Sequence, residues 1–273
     1  MLYLILAVIS SVTIGHLLNF YKRRERKVPI LQIFLGNYFV ASLVSFYFAY
    51  PLETKPNLLD LGLGFIFGTL FLVNFLIFQE NIFKNGMSMS VSVMRLSLVI
   101  PVVLSIIFFN ESLPIVNYIG VFIVIVAFVF MGKSGGVKSI WWILLLFFTT
   151  GVTESGMKLF DEIATSSNNQ MLFYLFSFAF FVNLALIIYK KQSLKWKYIA
   201  EGLVLGIPNQ LTSFFFLKGL ITVEAAVAYP FVSSNVVLLG FITDKLIWKS
   251  KFSKSQYIVF GLILIGVILL NIR

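Results

Sequence analysis

The chain contains no cysteine, which excludes disulfides, thiolate metal sites and thiol catalysis together. It has one histidine, His16, too few imidazoles for a conventional metal centre. No Gly-x4-Gly-Lys-Ser/Thr run occurs, so there is no phosphate-cradling loop for ATP, and no cofactor is expected. Charge is scarce too. Asp, Glu, Lys and Arg make up 12% of the 273 residues, and no polar stretch is long enough to fold as a soluble catalytic domain.

What is present is apolar. The chain is 59% hydrophobic, carries 31 phenylalanines and has a mean hydropathy of +0.97, far outside the range of soluble domains. A helix crosses a bilayer with about 20 apolar residues, and the apolar runs predict ten such helices. They fall at 1–21, 28–50, 59–82, 86–109, 113–132, 139–159, 169–189, 197–219, 223–247 and 254–272. The first has no basic residue before its apolar run and no small-residue cleavage site after it, so it reads as a retained span rather than a signal peptide.

The formal charge of +10 would suggest nucleic acid in a soluble protein. Here lysine and arginine gather in short loops, so the expected surroundings are a lipid bilayer and no nucleic acid. Loops after helices 1, 3, 5, 7 and 9 carry about +4, 0, +2, +4 and +3, and those after helices 2, 4, 6 and 8 carry −1, −1, −1 and 0. The positive-inside rule then puts the odd-numbered loops in the cytoplasm and both termini outside, in a bacterial inner membrane.

The halves repeat. Thr13-x-Gly15 with Lys22 seven residues on recurs as Thr149-x-Gly151 with Lys158, and Tyr38 is echoed by Tyr174. Gly64-x3-Gly68 recurs as Gly202-x3-Gly206, and Gly120 as Gly261. The separations are 136, 136, 138 and 141 residues, the drift expected of a duplication with small insertions. Each copy, 1–132 and 139–273, spans an odd number of helices, so the second runs through the membrane upside down relative to the first. The fold class is therefore all-α, a polytopic membrane protein of ten transmembrane helices in two inverted five-helix repeats. Inverted repeats are a common build for secondary transporters.

The stretch 85–120 carries the sharpest feature. Arg95 sits within an apolar run that leads through Pro101 to a Glu111-Ser-Leu-Pro114 elbow, and a buried arginine costs at least ~2.5–3.5 kcal/mol unless it meets a partner or a wet cavity. In one reading its guanidinium receives the carboxylate or phosphate of a substrate. In the other it is neutralised by Glu154, since helix rise puts the two ~13 Å and ~22 Å from one face. Glu154 is itself either a proton-coupling site or one half of an intrahelical pair with Lys158. His16 is either a pore residue or a histidine satisfied by its neighbours. Asn19, Tyr38, Asn74, Asn209, Gln210 and Tyr229 lie in apolar runs, where an unpaired polar group is costly, so each bonds another helix or faces a substrate. Pro208-Asn209-Gln210 and Tyr229-Pro230 add freed helix carbonyls to polar side chains. Gly64, Gly68, Gly202 and Gly206 form small-x3-small faces suited to close helix packing. Trp141, Trp142, Trp196 and Trp248 sit near helix ends, as interfacial anchors do.

Leu98-Val-Ile-Pro101, Phe109-Asn-Glu111-Ser and Tyr118-Ile-Gly120, within ten spans in two repeats, resemble the end of the fourth helix and start of the fifth in the drug/metabolite transporter superfamily, in particular its EamA-type permeases. The second copy fits less closely: Pro230 lies early in helix 9, Asp244 precedes the acidic position and Lys251 sits near it. The resemblance implies a secondary transporter or exporter of a small organic metabolite, working by alternating access. Helices 1–4 and 6–9 would surround the cavity, which favours Arg95, Asn209 and Tyr229 as contacts. It also implies cytoplasmic termini, against the loop charges. The substrate expected from Arg95 is anionic or zwitterionic, such as an amino acid, and the protein a monomer or homodimer. The alternative is a non-transporting membrane scaffold or an intramembrane enzyme, for which the spans hold few nucleophile and base pairs.

Overall fold

The computed structural model describes residues 1–24, 28–52, 54–97, 99–101, 103–104, 114–133, 138–223, 225–270 and 272. It describes the backbone but not the side chains at 124, 128–129, 131–133, 157–158, 161–162, 217, 220, 225–227 and 230. Glu111, Ser112 and Leu113 of the elbow lie outside the described residues, as does the Lys158 side chain.

Among the described residues the extended apolar runs are helical, because a backbone in hydrocarbon must satisfy its N–H and C=O groups internally. The run expected at 86–109 is one helix only to Leu96, where Ser97 turns, and residues 98, 102 and 105–109 lie outside the described residues. The helices are α1 (Leu2–Arg24), α2 (Ile30–Ala49), α3 (Leu58–Asn85), α4 (Met87–Leu96), α5 (Ile115–Lys133), α6 (Ile140–Ile163), α7 (Asn168–Tyr189), α8 (Trp196–Leu220), α9 (Ala225–Ile247) and α10 (Lys254–Leu270). Among the described residues α1, α2, α3 and α7 are each long and apolar enough to cross a membrane by themselves. The helices end where their chemistry stops. Asn57 caps α3 by accepting the Asp60 N–H at 2.8 Å. Between α3 and α4 the chain turns at Gly86, whose φ of +87° is a conformation that a side chain resists.

The packing pattern is nearly unchanged when each helix is exchanged for the one five places away. Helix α2 lies against α7 and α8, and α7 against α2 and α3; α1 packs on α8 and α9, and α6 on α3 and α4; α5 meets α10, and α4 meets α9. This is the pairing that two inverted five-helix units produce. The tightest crossings are made by glycine. A Cβ on Gly202 would strike the Ile33 carbonyl oxygen, and one on Gly36 the Ile199 carbonyl oxygen, so α2 and α8 meet backbone to backbone. Across the pseudo-symmetry, Gly64 lies against Tyr174 and Gly68 against the Leu175 carbonyl, while Gly206 faces Asn37. Gly120 packs on Leu269 and Leu270, whereas its sequence counterpart Gly261 has nothing within 4 Å.

An aromatic cluster fills the junction of α2, α3 and α7. Phe34 and Phe75 meet edge to face with centroids 5.6 Å apart, Tyr38 joins both, and Phe71 and Phe176 complete it.

Candidate functional site

The face bearing the loops after α1, α3, α5, α7 and α9 is laced with polar bonds between helices. Lys22, at the end of α1, donates to the Ile82 and Phe83 carbonyls at 2.7 and 2.6 Å, capping α3, whose C-terminal carbonyls carry partial negative charge. Arg24 pairs with Glu201 of α8 at 2.7 Å, and the Tyr21 hydroxyl donates to the Glu201 carbonyl at 2.9 Å. Asp244, buried at the end of α9, accepts the Ser88 N–H at 3.1 Å and the Ser88 hydroxyl, and so caps the start of α4. Asn85 and Asn81 bind the start of α6 through Ser139 and Trp142.

His16 belongs to this lacing. The Trp248 indole N–H donates to His16 Nδ1 at 2.8 Å, which leaves the ring proton on Nε2 to donate to the Thr243 hydroxyl, also at 2.8 Å. The Thr243 hydroxyl in turn donates to the Leu239 carbonyl at 2.6 Å. Both imidazole nitrogens are thus used within the protein. Trp248 is half-buried in this chain, with Arg23 stacked over its ring, while Trp141 and Trp196 are exposed at helix ends.

Arg95, in the last turn of α4, is half-buried, and its Nη2 donates to the Ser11 hydroxyl of α1 at 2.8 Å. Glu154 on α6 is surrounded by protein, though the residue keeps accessible surface, and it is close enough to attract the guanidinium, but among the described residues no ion pair of 4.0 Å or less joins them. The intimate pairing weighed from helix depths is therefore absent from this conformation. The cation is oriented by a neutral hydroxyl.

The remaining polar candidates separate into two kinds. Asn74 accepts from the Thr149 and Thr150 hydroxyls at 3.0 and 2.8 Å and ties α3 to α6. Asn209 donates to Asn37 at 3.1 Å, tying α8 to α2, and Asn19 is buried in α1. Tyr38 is fully buried in the aromatic cluster with no partner for its hydroxyl. Tyr229 is exposed and packs its ring edge on Phe216 at 4.8 Å. Gln210 is buried, yet its Oε1 has no hydrogen-bond partner and it lines a cavity of about 440 Å³ between α2, α7 and α8. Its lining runs to the ends of α2, α7 and α8 nearest the loops after α2, α6 and α8. Arg95 and Glu154 face one another across α4 and α6, while Asn74, Asn209 and His16 serve contacts between helices.

Ser11, Ser45 and Lys218 were not singled out from sequence. Serines at apolar positions are too common to mark, and a lysine near a helix end ordinarily reads as interfacial. In the sequence Asp244 reads as a loop charge and as a residue preceding the acidic position of the resemblance. Its capping role needs the knowledge that α9 ends beside the start of α4.

The model of a family described as the EamA-like transporter family matches the chain twice, over residues 1–133 and 137–272. The chain is also similar to an uncharacterized protein of Haemophilus influenzae, 26% identical over 283 aligned positions that cover 95% of this chain and 94% of that one.

Proposed function

Since the chain belongs to the EamA-like transporter family, and so to a family of membrane transporters of small molecules, we propose that it moves a small anionic or zwitterionic organic metabolite by alternating access, with Arg95 receiving the anionic group. One observation carries this reading. Among the described residues, a guanidinium set among transmembrane helices is held by one serine hydroxyl, and Glu154, surrounded by protein yet keeping accessible surface, stands outside ion-pair distance. Leaving a cation so in a low-dielectric interior is expensive unless water or a ligand meets it. A carboxylate or phosphate would supply the two coplanar oxygens that guanidinium binds best.

Accessible surface on a Glu154 that protein surrounds fits the same reading, because it suits a carboxylate facing a wet cleft rather than lipid, where an ionised group is costly. Polar contacts through Lys22, Arg24, Asp244 and His16 bind one face together, and the cavity at Gln210 lies toward the other, which supports reading this conformation as closed on the laced face. Loop charge assigns the closed face to the cytoplasm of a bacterial inner membrane and both termini to the outside. The energy source is the substrate gradient, proton movement or exchange.

The test is a thermal-shift screen of purified protein against amino acids, organic anions, sugars, nucleosides and organic cations, repeated on Arg95→Ala. Anionic or zwitterionic compounds should stabilise the wild type, by ~2.7 kcal/mol at a hundredfold excess over Kd, and lose the effect in the variant. Stabilisation by cations alone rejects the role of Arg95. A hit that then shows no flux in proteoliposomes rejects transport in favour of a binding scaffold.

A further inference from the structure

The cavity between α2, α7 and α8 is built differently from the surroundings of Arg95. Gln210, Phe214 and Lys218 follow at four-residue spacing on one face of α8, so the cavity runs roughly 12 Å along that helix, from Lys218 and Ile221 at its mouth to Gln210 at its floor. Its volume of about 440 Å³ is within the range of small-molecule sites. At the mouth the chain enters α7 through Ser167, Asn168 and Asn169.

That helix end is fixed in place from outside the cavity. The Asp60 carboxylate accepts the Thr165 N–H at 3.3 Å, the Thr165 hydroxyl at 3.0 Å and the Ser166 hydroxyl, and Gln170 donates to the Thr54 carbonyl at 2.8 Å. Ser167 and Gln170 complete a capping box, which leaves the Asn168 and Asn169 amides as the first N–H groups of α7. Such amides have no acceptor within their own helix and carry partial positive charge. Lys218, exposed on the opposite wall, adds a full one.

The floor has the complementary chemistry. Ser45 and Gln210 are 2% and 4% exposed, both line the cavity, and neither Ser45 Oγ nor Gln210 Oε1 has a hydrogen-bond partner. Neither oxygen is itself exposed to the cavity in this conformation; each is a buried acceptor with no donor among the described residues, on a side chain that lines the wall, and a rotation of that side chain would present it to a ligand's hydrogens.

We propose that this cavity is a receiving site for the transported solute, holding its anionic oxygen group between Lys218 and the α7 N-terminus and its hydroxyl or ammonium hydrogens at Gln210 and Ser45. The inference rests on the reading of the chain as a transporter of anionic or zwitterionic solutes, but it uses residues other than Arg95. It makes the site attractive to small anions as a class, whatever the particular substrate.

The absence of native cysteine makes a direct test available. Gln210→Cys and Ser45→Cys are reconstituted separately in phosphatidylcholine vesicles and labelled with a sulfonate-bearing or a trimethylammonium-bearing methanethiosulfonate, each rate being divided by that reagent's rate with free cysteine. The sulfonate should be favoured about tenfold, the scale on which a charged cleft concentrates counter-ions, and Lys218→Gln should remove most of the preference at both positions. Equal normalised rates, preference for the trimethylammonium reagent, or no labelling at either position would overturn the proposal. Protection appearing only when phosphatidylglycerol is added would assign the cavity to a lipid headgroup and overturn it as well. Two cysteine positions keep the test open should one variant fail to elute as a single species. Arg95→Ala in the same backgrounds should leave the preference intact, so failure here and failure of the Arg95 screen are read separately.

Discussion

The crossing of α2 and α8 offers a quantitative test of the fold. Gly36 and Gly202 let the two backbones touch: a Cβ on Gly36 would lie 2.7 Å from the Leu203 nitrogen, and one on Gly202 would lie 2.9 Å from the Gly36 Cα. Comfortable separations for such atoms are ~3.5–4.0 Å, and the Ile33 and Ile199 carbonyl oxygens lie closer still, so a single methyl must push the helices apart by at least about 1 Å. Because the atoms struck belong to backbone, no side chain can rotate away. Overpacking of this kind costs ~1–3 kcal/mol. Replacing glycine by alanine within a helix also returns up to ~1 kcal/mol of propensity, which masks part of the clash. Gly261, within α10 and with nothing inside 4 Å, is the control that isolates it, since Gly261→Ala changes propensity alone. Thermal unfolding of the two variants in the same detergent should therefore separate them by ~1–3 kcal/mol, with Gly202→Ala the weaker. The Gly36→Ala/Gly202→Ala double variant should lose less than the sum of its parts, because the first methyl has already opened the space that the second occupies. If Gly202→Ala melts with or above Gly261→Ala, the α2–α8 contact is not backbone to backbone.

His16→Phe should destabilise the protein by about 1–3 kcal/mol, since it strands the Trp248 indole N–H and takes away the donor to Thr243; substrate flux per folded molecule, measured in proteoliposomes, should persist, and its abolition would restore His16 as a pore residue. A reporter fused at the C-terminus should be active as periplasmic alkaline phosphatase and dark as cytoplasmic green fluorescent protein. The opposite pattern would show that loop charge misorients this chain.

How much of this was legible in the sequence depends on what each residue needs. Apolar runs must become helices in lipid, so α7, expected at 169–189, is found at Asn168–Tyr189, and α8, expected at 197–219, at Trp196–Leu220. Polar residues within those runs declare a need for partners but not who the partners are. Arg95 meets Ser11, 84 residues earlier, and His16 meets Thr243 and Trp248, more than 220 residues later. Nothing periodic links such pairs, because they are made by helices that become neighbours only after both repeats assemble. The glycines are different. Their spacing records a contact face, but sequence does not distinguish Gly120, pressed on α10, from Gly261, which touches nothing.

The charges of the site do not follow the repeat, and this bears on what the site accepts. Moving Arg95 forward by the 138–141 residues that relate the halves reaches positions 233–236, which hold Ser, Ser, Asn and Val; moving Glu154 back by 136 reaches Leu18. The duplicated scaffold therefore presents one cation from its first half and one acid from its second. On the proposed role of Arg95, a zwitterion would have a preferred sense between them, its carboxylate at Arg95 and its ammonium toward Glu154, whereas a simple anion would gain from Arg95 and be repelled by Glu154. Glu154→Gln separates the two cases by sign. Neutralising one unit charge near a bound ion in a partly wet site is worth on the order of 1 kcal/mol or more, a severalfold change in Kd. Affinity for an amino acid such as alanine should fall, and affinity for lactate, in which a hydroxyl replaces alanine's ammonium, should rise, in isotherms measured on the same preparation. Should both ligands move in the same direction, Glu154 does not face the bound solute, and the polarity of the site is set by Arg95 alone.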